Sequence, residues 1–314
     1  MSQQALTVTT SKQKLQGHVA LLFANMFWGM MSPVTKSVLL GGDISPLALS
    51  ALRIGGGALL FALCSLILPA SVAPRERIHR SDYLKLLCAS LLMISANQGL
   101  FILGIGYTNP IDSSVMSSLT PMITMLLAAW ILHFPITRLK FLGVAIGLAG
   151  VIILVTDNSG NANATNPLIG DLLCFGAQIC AALYYVLFGG LIKRYAPFTL
   201  MKWMFLIAAF TYVPCCWRAL ADVPYARVPA VIWMELGYIV VFATCLAYLT
   251  LPFAQKRLKP IVVSTYSYFQ PVFAAIVAVW LGVGDFGAVK MAATLLIFAG
   301  VYFVSTNSIS RSGK

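Results

Sequence analysis

The residues best suited to chemistry are amides and aromatic side chains set inside long apolar runs. Asn25 and Trp28, Asn97 and Gln98, Gln178 with Tyr184 and Tyr185, and Tyr266 with Gln270 each lie well within stretches that are otherwise apolar. An amide or phenol facing hydrocarbon without a partner is unfavourable, so each must face another helix or a cavity. Interhelical hydrogen bonding accounts for any one of them taken alone. Together, on four segments, they read as the lining of a pathway for a small polar solute. Tyr266 and Gln270, four residues apart, fall on one face of a helix. Ser113, Ser114, Ser117 and Ser118 form a further polar strip, for which close packing is the simpler reading.

Charged groups within the apolar runs are few. Lys36 and Arg53 stand near the outer ends of their segments. Either their stems snorkel to the headgroups or they attract anions in an outer vestibule. Asp112, two residues after Pro110, falls in the first turn of a helix, where exposed N–H groups and the helix dipole stabilise a carboxylate. A role in proton coupling or gating is its alternative reading. Glu235 opens a later segment in the same way. Pro121 and Pro271, each about ten residues into a segment, kink it by removing a backbone hydrogen bond; these are gate hinges or static bends. His18, His79 and His133 stand at segment ends, and no nucleotide-binding loop, buried acid pair or metal-ligand cluster appears. Enzyme chemistry therefore has little support, and neither a cofactor nor a metal is expected. The seven cysteines lie in or beside apolar segments without metal-type spacing and read as packing residues.

These side chains must be positioned by helices in a bilayer. A chain that is 60% hydrophobic and 10% charged cannot bury its apolar surface inside one water-soluble domain of 314 residues. A span needs about 20 mainly apolar residues, and ten stretches qualify: 18–40, 47–69, 82–105, 111–132, 139–156, 169–192, 198–217, 231–252, 261–282 and 286–306. The first is too long for a signal peptide and has no cleavage-type end, so it is expected to be a retained helix. The net charge of +12 follows membrane topology and does not call for a nucleic-acid partner. With a cytoplasmic N-terminus, Lys12, Lys14, Arg75, Arg77, Arg80, Lys85, Arg138, Lys140, Lys193, Arg194, Lys202, Lys256, Arg257, Lys259, Arg311 and Lys314 fall inside, against Arg218, Arg227 and Lys290 outside. Both termini are then cytoplasmic, in a bacterial-type inner membrane, and the number of spans is even. Gly55, Gly56 and Gly57 allow close helix contact.

An offset of 150 positions aligns 110–156 with 260–306, with twelve identities in 47 pairs, among them Pro110/Pro260, Ser117/Ser267, Pro121/Pro271, Trp130/Trp280 and Gly150/Gly300. By composition alone about four would be expected. The chain thus divides into a tail at 1–17, a five-helix unit at 18–156, a polar linker at 157–168, a second five-helix unit at 169–306 and a tail at 307–314. Five spans per unit make the second inverted relative to the first, an arrangement that suits alternating access. The expected fold is an all-α integral membrane protein of ten transmembrane helices in two inverted repeats.

The runs SPLALSALR, STYSYFQPVFAAIVAVWL and LLIFAGVYFV, in that order and duplicated, resemble the EamA domain of the drug/metabolite transporter superfamily. The resemblance covers nearly the whole chain. It implies a ten-helix carrier, an exporter of amino acids, metabolites or drugs; with no ATPase motif in the sequence, transport is expected to be gradient-driven or facilitative. Where that family often carries a glutamate after the fourth and ninth helices, this chain has Phe134 and Gly284, with Asp285 one step on. No membrane-central carboxylate is evident, which favours neutral or zwitterionic solutes such as amino acids over cationic multidrug efflux. The partners expected are the bilayer, a small-molecule substrate and protons as coupling ion. A membrane-embedded enzyme or a structural membrane subunit are the rival classes.

Overall fold

The computed structural model describes residues 11–74, 76–133, 137–156, 164–255, 257, 266–284 and 287–306. Among these residues all regular structure is helical. Arg75, Phe134, Lys256, Lys259, Pro260, Asp285, Arg311 and Lys314, all used in the sequence reading, lie outside them.

The first half comprises α1 (Ser11–Gly41), α2 (Pro46–Ile67), α3 (Tyr83–Ser90), α4 (Asn97–Tyr107), α5 (Pro110–Ser117), α6 (Thr120–Leu132) and α7 (Arg138–Thr156). The second comprises α8 (Pro167–Leu187), α9 (Gly189–Arg194), α10 (Pro197–Tyr212), α11 (Trp217–Ala221), α12 (Ala230–Val240), α13 (Ala247–Gln255), α14 (Phe269–Trp280) and α15 (Ala288–Thr306). Several starts follow from an oxygen-bearing cap before a proline. Ser45 accepts from the Ala48 N–H ahead of Pro46, Asn109 from Ile111 beside Pro110, and Asn166 from Ile169 beside Pro167. Proline at the first helical position has no N–H to orphan, and the cap satisfies one of the free donors behind it.

Among the described residues, six helical stretches are long and apolar enough to cross a membrane: Pro46–Ile67, Arg80–Tyr107, Pro110–Leu132, Pro167–Leu187, Pro197–Ala221 and Ala230–Thr250. Phe269–Trp280 and Ala288–Phe303 are shorter apolar helices. Large apolar side chains cover the outside, with Trp130, Phe210 and Trp280 each more than three-quarters exposed. Such a surface suits hydrocarbon and not water.

Two of these stretches depart from a uniform helix. Leu91–Ala96 and Val241–Leu246 are wound as π-helix, joining α3 to α4 and α12 to α13, and they stand 150 positions apart. The stretch at 111–132 is also not one kinked helix as the proline suggested. It breaks at Ser118 and Leu119, and Pro121 sits in the opening turn of the second piece, α6. A proline at 121 leaves the carbonyl of Ser117 without its usual N–H donor, and the Thr120 hydroxyl takes its place at 2.8 Å. Pro271 likewise falls in the opening turn of α14, directly after the 3-10 turn Tyr266–Tyr268.

The helices pack through small residues. α7 packs closely against α15. A Cβ on Gly300 would come within 2.5 Å of the Gly143 carbonyl oxygen, so the backbones meet directly. Overpacking such a contact costs about 1–3 kcal/mol. Gly300→Val is therefore expected to lower the melting midpoint of the detergent-purified protein, whereas Gly237→Ala, where a Cβ meets nothing within 4 Å, leaves it equal or slightly higher.

Candidate solute-binding site

The break at Ser118–Leu119 and the π-segment Leu91–Ala96 border a cavity of about 230 Å³ within the bundle, to which Ser117, Thr120, Pro121 and Met93 contribute. Of the nine residues expected along a pathway, seven line it: Asn25, Trp28, Asn97, Gln98, Gln178, Tyr185 and Gln270. Tyr184 does not. It is buried beside the rings of Tyr185 and Phe188. Tyr266 is absent from the lining too, because the residue belongs to the turn ahead of α14 and its hydroxyl meets His18 Nδ1 at 2.8 Å; it does not continue the face of Gln270. Pro121 borders the cavity, and Pro271 and Asp112 do not.

The amides are held in place. Gln270 donates to Asn25 Oδ1 at 2.8 Å, Asn25 donates to the Leu21 carbonyl, and Asn97 donates to the Ala177 carbonyl at 2.7 Å. The Thr120 hydroxyl lies 2.7 Å from Gln178 Oε1. Trp28 and Tyr248 meet edge to face at 5.7 Å between centroids and form an aromatic wall with Tyr185. The lining includes four pairs of residues 150 positions apart in the sequence: Trp28 and Gln178, Gln98 and Tyr248, Ser117 and Ser267, Thr120 and Gln270.

The π-segment Val241–Leu246 supplies anchors. A π-turn displaces backbone groups from the regular helical ladder. Trp28 Nε1 donates to the Ala243 carbonyl at 3.0 Å, and the Thr244 hydroxyl donates to the Ile239 carbonyl while accepting from Arg53 Nε at 2.9 Å. Arg53 reaches Thr244 because α2 approaches closely at Gly57, where a Cβ would stand 2.9 Å from the Phe205 ring.

Neither Arg53 nor Lys36 snorkels to a surface. Arg53 is 3% exposed and borders the central cavity. Lys36 is 1% exposed and donates to the carbonyls of Ile105, Gly106 and Thr108 at 3.0–3.1 Å, so that its ammonium closes the C-terminus of α4. Asp112 is held by more than a helix terminus. Its Oδ2 accepts from Lys290 Nζ at 2.9 Å, with both side chains 1% exposed. Asp171, which accepts from the Thr108 hydroxyl at 2.7 Å, is an electrostatic neighbour of both. Thus Lys36, Asp112, Asp171 and Lys290 form a dry charged layer near one end of the bundle. Near the other end, Asp82 accepts from Arg194 at 2.6 Å and Tyr195 at 2.9 Å, and Glu76 accepts from the Ala196 N–H at 2.8 Å. Glu235 accepts from Ser37.

Sequence reasoning missed Arg53 and Tyr248 as lining residues, together with Thr244 as their support. Arg53 carried a signal: eighth in the 22-residue α2, it lies about 10 Å in from the helix start at 1.5 Å per residue. Tyr248 carried another, standing 150 positions from Gln98.

A model of the EamA-like transporter family matches residues 15–156 and again 168–306. The chain belongs to the EamA-like transporter family. Its similarity to individual members is distant. This EamA-like protein is 24% identical over 266 residues to the uncharacterized transporter YyaM of Bacillus subtilis (strain 168), covering 84% of this chain and 86% of that one. It is 24% identical over 196 residues to an uncharacterized transporter of Archaeoglobus fulgidus, covering 62% and 66%. A protein of known crystal structure superposes with a TM-score of 0.63 at 18% identity, covering 97% of this chain and 99% of that one, a likeness of fold.

Removing one partner of a buried ion pair costs about 3–5 kcal/mol, whereas replacing both by apolar groups is often neutral. Lys290→Met alone is accordingly expected to lower the melting midpoint sharply, and Lys290→Met with Asp112→Leu to recover most of the loss. Equal melting of the single and double variants would show that the pair is not coupled.

Proposed function

We propose that this EamA-like protein is a secondary carrier for small organic metabolites, an exporter of amino acids or similar neutral and zwitterionic solutes working by alternating access. The carrying observation is the cavity itself, a small chamber within the bundle whose mainly apolar wall carries amides, hydroxyls and one guanidinium drawn from both family-matched segments, with the buried charges of Lys36, Asp112, Asp171 and Lys290 towards one end and the part-exposed tie of Asp82 to Arg194 towards the other. The reading takes the chain as ten transmembrane helices in two inverted units, 18–156 and 169–306, with both termini cytoplasmic in an inner membrane. The double match of the family model and the two π-segments 150 positions apart support it.

Broken helices beside a central site are how carriers of this kind expose polar groups to a solute without exposing backbone to lipid. Rocking one unit against the other would open the layer around Lys290 and Asp112 in one state and that around Asp82 and Arg194 in the other. The size of the chamber speaks for metabolites: drug-sized ligands occupy pockets of about 300–1,000 Å³, more than is found here. No carboxylate lines it among the described residues, which weighs against the alternative, efflux of cationic drugs.

Uptake and efflux of labelled amino acids in proteoliposomes, with and without an imposed pH gradient and against protein-free vesicles, tests the reading. Solute-specific flux is expected in the wild type. Gln270→Leu and Asn97→Leu are expected to reduce it at least tenfold while membrane insertion stays normal, and normal flux in both would remove the cavity from the pathway. If protons couple through the charged layer, Asp112→Asn will keep downhill exchange and lose the response to the gradient. An unchanged response would take Asp112 out of the coupling.

A further inference from the structure

From the guanidinium of Arg53 we infer that the solute carries a carboxylate, and that Arg53 is the residue that binds it. The inference rests on the carrier reading and adds the chemical class of its substrate. Three observations lead to it.

First, Arg53 is the sole ionisable group charged at neutral pH among the described residues that line the cavity; the others are amides, hydroxyls, aromatic rings and apolar chains. The sequence has nine acids. The seven within the described residues, Asp43, Glu76, Asp82, Asp112, Asp171, Asp222 and Glu235, all lie outside the lining. No ion pair to Arg53 exists among the described residues.

Second, its hydrogen-bond capacity is only partly used. Arginine has five N–H donors in a planar fork. The one on Nε goes to Thr244 Oγ1 at 2.9 Å, which fixes the plane of the group. The four on the two terminal nitrogens meet no acceptor among the described residues, and they lie on the edge that matches a carboxylate in bidentate fashion. Buried cations elsewhere in the fold are treated differently. Lys36 spends its three donors on three carbonyls, and Lys290 faces Asp112. Arg53 instead turns its carboxylate-binding edge to the cavity, where a ligand carboxylate would meet it with no acceptor from the described residues in the way.

Third, the support for the arginine is built for position. Gly57 lets α2 close on Phe205 and Thr244, and the π-turn sets Thr244 so that its hydroxyl proton is engaged by Ile239 and its lone pair faces Arg53. The position 151 residues on, which matches Arg53 when SPLAL at 45–49 is set on APFTL at 196–200, is the buried Met204. The charge is therefore present once in the lining and suits one carboxylate better than two. Met31, Met93, Phe101 and the Trp28–Tyr248 wall would take an apolar body.

The test uses the full-length protein in detergent and matched probes. Melting midpoints are recorded against leucine and leucinamide, phenylalanine and phenylalaninamide, 4-methylpentanoate and its amide, and succinate as a dicarboxylate. At least one monocarboxylate is expected to stabilise the protein with an affinity about ten- to hundredfold above that of its amide and above that of succinate. In Arg53→Gln this preference should vanish. Thr244→Val, which keeps the charge but frees the fork, should weaken carboxylate binding while leaving the amide unchanged. If Arg53→Gln does not fold, the wild-type comparison and Thr244→Val decide. Equal stabilisation by acid and amide, a preference that persists in Arg53→Gln, or no stabilisation by any carboxylate would each overturn the assignment. Flux in proteoliposomes of a solute without a carboxylate, unaltered in Arg53→Gln, would overturn it while leaving the carrier reading intact.

Discussion

Backbone N–H and C=O groups cannot be left unpaired in hydrocarbon, and the shape of this protein's interior follows from how that requirement is met where its helices depart from regularity. Two of the departures are answered by side chains. Thr120 donates to the Ser117 carbonyl that Pro121 leaves without a donor. Trp28 donates to Ala243 in one π-segment, and Thr244 of the same segment closes on Ile239. Ser117, Thr120, Pro121 and Trp28 border the cavity, and Ala243 and Thr244 stand behind it as anchors for Trp28 and Arg53. The same interactions that repair the backbone thus place the lining.

Burial of charge is handled by the same logic at a larger cost. Lys36, Asp112, Asp171 and Lys290 are withdrawn from both lipid and water near one end of the bundle. A desolvated ion pair contributes little to stability, yet losing one member is expensive. Such a layer is therefore either intact or broken, a discrete behaviour suited to a barrier that must open fully or not at all. The tie of Asp82 to Arg194 and Tyr195 is different in kind. Arg194 is more than half exposed, so solvent screens it and the tie can exchange readily. The two ends of the molecule are held by contacts of unequal stiffness.

Much of the architecture was legible from residue types. The apolar runs, the Ser-Pro and Asn-Pro helix starts at 45–46, 109–110 and 166–167, and the spacing of 150 residues between similar segments are one-dimensional patterns. So was most of the lining: an amide within an apolar run must find a polar partner somewhere, and Asn25, Asn97, Gln98, Gln178 and Gln270 found theirs around one cavity. Tyr184 and Tyr266 show where that inference stops. A phenol tolerates burial against other rings or a single histidine, so position within an apolar run does not say which way it faces. Pro121 marked an irregular place without saying whether the helix would bend or break, since that depends on whether Thr120 and Gln178 are at hand.

What the sequence by itself determined was helix content, membrane character and the presence of polar groups that need partners, because hydrophobicity, capping and desolvation are properties of a residue and its near neighbours. Only the tertiary structure decided which of those groups meet. Arg53 looks like any snorkelling arginine along the chain, and Lys36 like a second. The approach of α2 to the 241–246 segment carries the first into the central cavity, and the end of α4 absorbs every donor of the second. A buried charge is defined by what surrounds it, and those surroundings come from segments 69 to 191 residues away, assembled only when the helices pack.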